Sequence, residues 1–123
     1  MLTAREVAEA YYNAFNQGDN AKMLSLVDPN VRHEPNQGDP RIGREKLAAF
    51  LASNDECYRE QLSNLTFLTE PSGLKVAVDF EVTGMYLKQA DETMPPALEQ
   101  VYSIQVVAVI EVETLPMDRQ SIQ

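Results

Sequence analysis

Two stretches in which apolar and polar residues alternate with a period of two constrain this chain more than any other feature. Leu74, Val76, Val78, Phe80 and Val82 share one face of the first, and Tyr102, Ile104, Val106, Ala108, Ile110 and Val112 share one face of the second. Successive side chains of a strand point to opposite faces, so each stretch predicts a long strand that buries one side. The other face of the first stretch, Lys75, Ala77, Asp79, Glu81 and Thr83, suits water, whereas the second carries Val107 and Val109 there and needs cover on both sides. A shorter strand, Asn64 to Glu70, precedes them across the turn Pro71-Ser72-Gly73. Gly84 interrupts the first long pattern and marks an expected bulge that re-aims Met85 and Tyr86.

The first half of the chain changes period. Thr3-Ala4-Arg5-Glu6 is a capping box, and Val7, Ala8, Tyr11, Ala14 and Phe15 follow at helical spacing, which predicts a helix from about Thr3 to Gln17. Tyr11 falls on its inward stripe, and Tyr12 lies about 100° around the axis. Gly18 suits the left-handed position after a helix, and Asp19 or Asn20 can cap a short second helix carrying Met23, Leu24, Leu26 and Val27. Val31 to Glu34 reads as a short strand ended by Pro35, with a loop from Asn36 to Pro40. After Gly43, the residues Leu47, Phe50, Leu51, Cys57 and Tyr58 predict a third helix from Arg44 to about Gln61, its stripe interrupted by Asn54. Three helices followed by a meander of strands is an α+β domain, with helices on one face of a curved antiparallel sheet.

Charge narrows the partners. Ten basic residues against 19 acidic leave a net charge of −9, a surface that repels phosphate backbones and anionic lipid. Nucleic acid and membrane are therefore not expected as partners, and no apolar run approaches the ~20 residues of a membrane helix. Cys57 stands alone and cannot close an intrachain disulfide, and MLTAREVAEA has neither the basic nor the apolar block of a secretory signal. The chain reads as a soluble cytoplasmic protein. One His, one Cys and scattered carboxylates show no ligand spacing for zinc or calcium, so no metal site is expected.

The run Tyr11-Tyr12-Asn13-Ala14-Phe15-Asn16-Gln17-Gly18-Asp19 resembles the first helix of the nuclear transport factor 2-like superfamily, which has a cystatin-like α+β cone and includes ketosteroid isomerase and SnoaL-like polyketide cyclases. His33-Glu34-Pro35-Asn36-Gln37-Gly38, Gly43 to Phe50, Cys57-Tyr58-Arg59-Glu60 and the Pro95-Pro96 loop before Gln100 are similar to its steroid-isomerase-related branch. The resemblance implies one domain over 1–113 with a tail over 114–123. It also implies a final strand after Val112 that the tail, with Pro116, is not expected to supply, so the strand should be missing or replaced. A homodimer, with or without an exchanged strand, would then cover the sheet.

The resemblance further implies chemistry. By motif, Glu34 takes the place of the proton-abstracting base and Tyr11 that of the oxyanion donor, while Gln100 stands at or beside the position of a protonated acid. An amide donates more weakly than a neutral carboxylic acid. The function so implied is an isomerase, cyclase or lyase acting without cofactor on a small apolar carbonyl compound of steroid- or polyketide-like kind. The alternative is a non-catalytic module on the same fold, binding a small ligand or pairing as a dimer. Strand alternation separates His33 from Glu34, which favours Glu34 inside and His33 as structural. His33, Asn54, Gln100, Tyr12 and Tyr58 are the ligand-binding candidates. Asn54 and Gln100 qualify because a buried amide must be hydrogen-bonded.

Overall fold

The computed structural model of the chain describes residues 2–34, 39–114 and 120–122. Helix α1, Ala4–Asn16, starts where the capping box predicts. Thr3 Oγ1 accepts from Glu6 N at 3.2 Å, and the Glu6 carboxylate accepts from Thr3 N at 3.0 Å. Gly18 follows with φ 71°, and Asp19 caps α2, Asn20–Ser25, by accepting from Lys22 N at 3.0 Å. Strands β1, Arg32–His33, and β2, Arg41–Ile42, form a small antiparallel pair ahead of α3, Arg44–Cys57. Pro35 and most of the expected Asn36–Pro40 loop lie outside the described residues.

Four antiparallel strands complete the chain in the order β3, Tyr58–Thr69; β4, Lys75–Tyr86; β5, Val101–Thr114; and β6, Gln120–Ile122. The alternating faces behave as read: Val76, Val78, Phe80 and Val82 are buried under α1. On the opposite face of the sheet Leu68, Val107 and Val109 are each more than half exposed. A second cluster, Ala14, Met23, Val27, Val31, Leu47 and Leu51, joins the three helices. Cys57 is buried as a small filler. No helix among the described residues is long and apolar enough to cross a membrane.

Three expectations are corrected. The tail does supply a strand: β6 pairs with β5, Val112 opposite Ile122 and Thr114 opposite Gln120. Pro116, which argued against it, lies outside the described residues. The third helix ends at Cys57 rather than near Gln61, and Tyr58 enters β3 directly with φ −138° and ψ 148°. Pairing of Tyr58 to Ser63 with Tyr86 to Glu81 overrides a helical stripe that no Gly or Pro punctuates.

The bulge lies not at Gly84 but between Ser63 and Thr66, where Asn64 takes φ 54°. The irregularity shifts the parity of β3, so that Leu62 before it and Leu65 and Phe67 after it all pack toward the helix. Gly84 instead keeps unbroken register, opposite Glu60 on one side and Tyr102 on the other.

Candidate functional site

Between α1, α3 and the inner face of the sheet lies a cavity of about 760 Å³, a volume that suits a small organic ligand. Its walls are mostly apolar, with Phe15, Phe50, Phe80, Val82 and Val106 among them. The polar groups that interrupt them come from five elements: Tyr11 and Tyr12 on α1, Arg32, His33 and Glu34 at β1, Asn54 on α3, Glu60 on β3 and Glu111 on β5.

Both tyrosines border the cavity, Tyr12 included although it lies about 100° around α1 from Tyr11. Tyr12 is the deeper of the two, 9% exposed, with its ring 5.1 Å from Phe80 and 5.4 Å edge-on to Tyr11. A step of 100° still leaves both within one wide cavity wall. Neither hydroxyl is bonded to another described residue, and neither is sealed from the cavity. Burial pushes the Tyr11 phenol up to about 12 and Tyr12 higher still, so both remain neutral donors at physiological pH.

The β1 residues divide differently from the sequence reading. His33 is half-buried, its ring 5.1 Å from Phe50, with the Arg41 guanidinium 4.3 Å from the Phe50 ring centre. Arg41 Nη1 lies 3.5 Å from His33 Nδ1; an arginine can only donate, so that ring nitrogen accepts and the neutral ring carries its hydrogen on Nε2. Burial, then the Arg41 charge, holds His33 below its ordinary value. Glu34, expected inside, stands at the mouth with a side chain 63% accessible and paired with Arg32 Nε. The short strand gives it a cavity edge on one side and water on the other.

His33 carries a pH expectation. Its folded-state value lies below the unfolded one, so the unfolded chain binds more protons and stability falls as pH drops through the unfolded value near ~6.5. Denaturant titrations between pH 7.5 and 5 should show stability falling with acidification, with a shallower slope in His33→Gln. Equal slopes would mean that His33 titrates alike in both states.

Glu60 is not among the candidates read from the sequence and falls within the stretch expected to be helical. In β3 it faces in, half-buried, and both carboxylate oxygens are held: Asn54 Nδ2 donates to Oε1 at 3.1 Å, and the Tyr102 hydroxyl donates to Oε2. Burial, followed by the hydrogen bond to Glu60, raises Tyr102 above its ordinary range. Tyr58 stacks on Tyr86 at 5.4 Å and meets Tyr102 edge-on at 6.2 Å. It borders not the main cavity but a second, polar cleft of about 390 Å³, which Asn54 and Glu60 also line.

Gln100 is exposed in the loop before β5, accepting from Leu98 N at 2.6 Å and donating to Pro96 O at 3.2 Å, and it lines neither space. Two residues on, Tyr102 reaches inward instead. Among the described residues no group of three or more His, Cys, Asp or Glu could hold a metal ion.

A family model described as SnoaL-like domain matches residues 8–114. A solved structure described as a candidate polyketide cyclase from Xanthomonas campestris pv. campestris is 34% identical, with a TM-score of 0.85 over 97% of this chain and 87% of that one. A second of the same description, from Pseudomonas putida KT2440, is 34% identical with a TM-score of 0.87, covering 100% and 92%. A third, from Silicibacter sp. TM1040, is 31% identical with a TM-score of 0.86, covering 98% and 83%. The curated proteins contain no match.

Proposed function

The chain belongs to the SnoaL-like domain family, and from that premise we propose that it takes a small, largely apolar carbonyl compound into its cavity and carries out acid–base chemistry of the cyclase or isomerase type. One observation carries the reading: a nine-tenths buried tyrosine, Tyr12, whose hydroxyl has no partner among the described residues and opens on an apolar space. A hydroxyl that opens on an apolar space finds no partner in its walls, and a ligand carbonyl oxygen supplies the acceptor. Tyr11 stands beside it as a second donor, and the two neutral phenols would stabilise negative charge as it develops on that oxygen. His33 Nε2–H adds a third donor near the mouth. In this proposal Glu34 and Arg32 stand at the entrance. The description of the three relatives as candidate polyketide cyclases supports the same ligand class.

A bicyclic ketone, 2-tetralone, tests the reading. At 100 times its dissociation constant it should add about 2.7 kcal/mol to stability, read as a rise in melting temperature. Tyr12→Phe should bind it roughly 2- to 10-fold more weakly, the worth of one neutral hydrogen bond. No stabilisation of the wild type by 2-tetralone would defeat the proposal.

The second reading is binding without turnover. The exposure of Glu34 and its pairing with Arg32 favour it, because a carboxylate so placed is turned to water and has no privileged approach to a bound ligand. Binding of the ketone without any exchange of its α-hydrogens would select this second reading.

A further inference from the structure

We infer that Glu60 is a proton relay: it accepts a proton from the ligand on the cavity side and exchanges it with water through the polar cleft on its other side. The inference rests on the reading that the cavity takes a carbonyl compound. Four observations carry it.

Glu60 borders both spaces; among the described residues only Phe15, Leu51, Asn54 and Glu60 do so, and Glu60 is the one carboxylate of the four. The cavity side is apolar, whereas the cleft side carries Asn16, Gln17, Asn20, Asp55, Arg59 and Gln61, which suit water. The carboxylate is also held without being neutralised. Each oxygen receives one uncharged donor, Asn54 or Tyr102, and Glu60 makes no ion pair with another described residue. Two oxygens offer about four lone-pair positions, so two donors leave room for a proton.

The third observation is that the sheet is built to allow this contact. Glu60, Gly84 and Tyr102 lie directly opposite one another on β3, β4 and β5, and a Cβ on Gly84 would lie 2.5 Å from Tyr102 Cζ and 2.9 Å from Glu60 Cγ. The missing side chain is the space in which the tyrosine crosses to the acid. Fourth, the cavity's other two carboxylates are engaged in ion pairs, Glu34 at the mouth with Arg32 and Glu111 with Lys75.

The step balances without an oxidant or reductant. The C–H bond next to the carbonyl breaks, its electron pair moves into the enolate with the charge on oxygen beside the tyrosine hydroxyls, and the proton forms an O–H bond on Glu60. Return of a proton to carbon completes an isomerisation or an exchange. Asn54 and Tyr102 are positioning residues, because they act on the carboxylate and not on the ligand.

The test measures wash-in of deuterium at C1 of 2-tetralone in D₂O by NMR, with the dissociation constant measured separately. At saturating ketone the wild type should exchange about 100-fold or more faster than Glu60→Gln, with dissociation constants within about threefold. The glutamine keeps an acceptor for Tyr102, and its melting temperature reports whether it folds. Tyr102→Phe should bind as the wild type does and exchange about tenfold more slowly, a loss confined to the rate that general unfolding would not give. Glu81→Gln, on the outer face of the sheet, should match the wild type.

Wild-type exchange rates in Glu60→Gln, or a wild type that binds the ketone and exchanges nothing, would overturn the relay while leaving the cavity reading in place. A wild type that does not bind the ketone would overturn the cavity reading, and the relay with it.

Discussion

Gly84→Ala should cost about 3 kcal/mol of stability and lower the melting temperature by about 10 °C, and it should slow any chemistry that depends on Glu60. The added Cβ would meet Tyr102 Cζ at 2.5 Å and Glu60 Cγ at 2.9 Å, distances that neither ring nor stem tolerates. Gly84 is buried two residues before the end of β4, paired in register with both neighbouring strands, so its backbone cannot move aside without disturbing β3 and β5. Tyr102 must therefore swing away, which breaks its hydrogen bond to Glu60 and leaves that carboxylate with Asn54 alone.

A double-mutant cycle separates crowding from backbone preference. Gly84→Ala in a Tyr102→Ala background should lose much less than in the wild type, with a coupling of about 1–3 kcal/mol. Equal losses in the two backgrounds would show that the tyrosine is not what the methyl meets. Gly18 supplies the contrast: it needs its glycine for φ 71° in open space, with nothing within 4 Å.

That glycine also marks the limit of what could be read without coordinates. Alternation placed β4 and β5 and the buried face of β4, because period-two patterning has one physical cause and Val76, Val78, Phe80 and Val82 obey it without exception, whereas on the matching face of β5 Ile104 is 51% exposed. The capping box at Thr3 and Glu6 placed α1 to within a residue. Gly84, by contrast, is absent of side chain for the sake of two residues 24 positions before it and 18 after it, and no local pattern carries a demand set by strand neighbours. A bulge was the nearest local explanation, and it was the wrong one.

The site was less legible than the fold for the same reason. The helix-to-strand change at Tyr58 carries no Gly or Pro, so Cys57 and Tyr58 prolonged the helical stripe and hid that Glu60 faces the cavity. Tyr11 and Tyr12 were ranked by angle about α1, but a cavity of about 760 Å³ presents a wall broad enough for both, and the depth of each depends on what packs beside it. Asn54 was recognisable as a polar break in an apolar stripe, and it is held as such a residue must be. Gln100 made the same kind of break and proved to serve its own loop.

Asn16→Ala should destabilise the protein by about 3 kcal/mol, although Asn16 stands at the end of α1 and belongs to neither core cluster. Its side-chain amide does the work of a neighbouring strand: Oδ1 accepts from Leu62 N at 2.8 Å and Nδ2 donates to Leu62 O at 2.9 Å. β3 is the first strand of its sheet, so Leu62 has no partner strand on that side, and its side chain is 7% exposed. Alanine would leave both backbone groups without a protein partner in a half-buried place, each at a cost of about 1–3 kcal/mol. The same asparagine belongs to the Tyr11–Asp19 run that marks the family resemblance, so its presence there has a structural cause independent of activity. Asn16→Asp separates the two bonds. It keeps the acceptor but turns the donating nitrogen into a carboxylate oxygen facing Leu62 O, and that repulsion disappears once the acid is protonated. Its deficit relative to the wild type should therefore shrink as pH falls, while that of Asn16→Ala should stay constant. Thermal melts of both variants between pH 7 and 4 check this, and an alanine variant melting within about 2 °C of the wild type would mean that water satisfies the Leu62 backbone as well as the amide does.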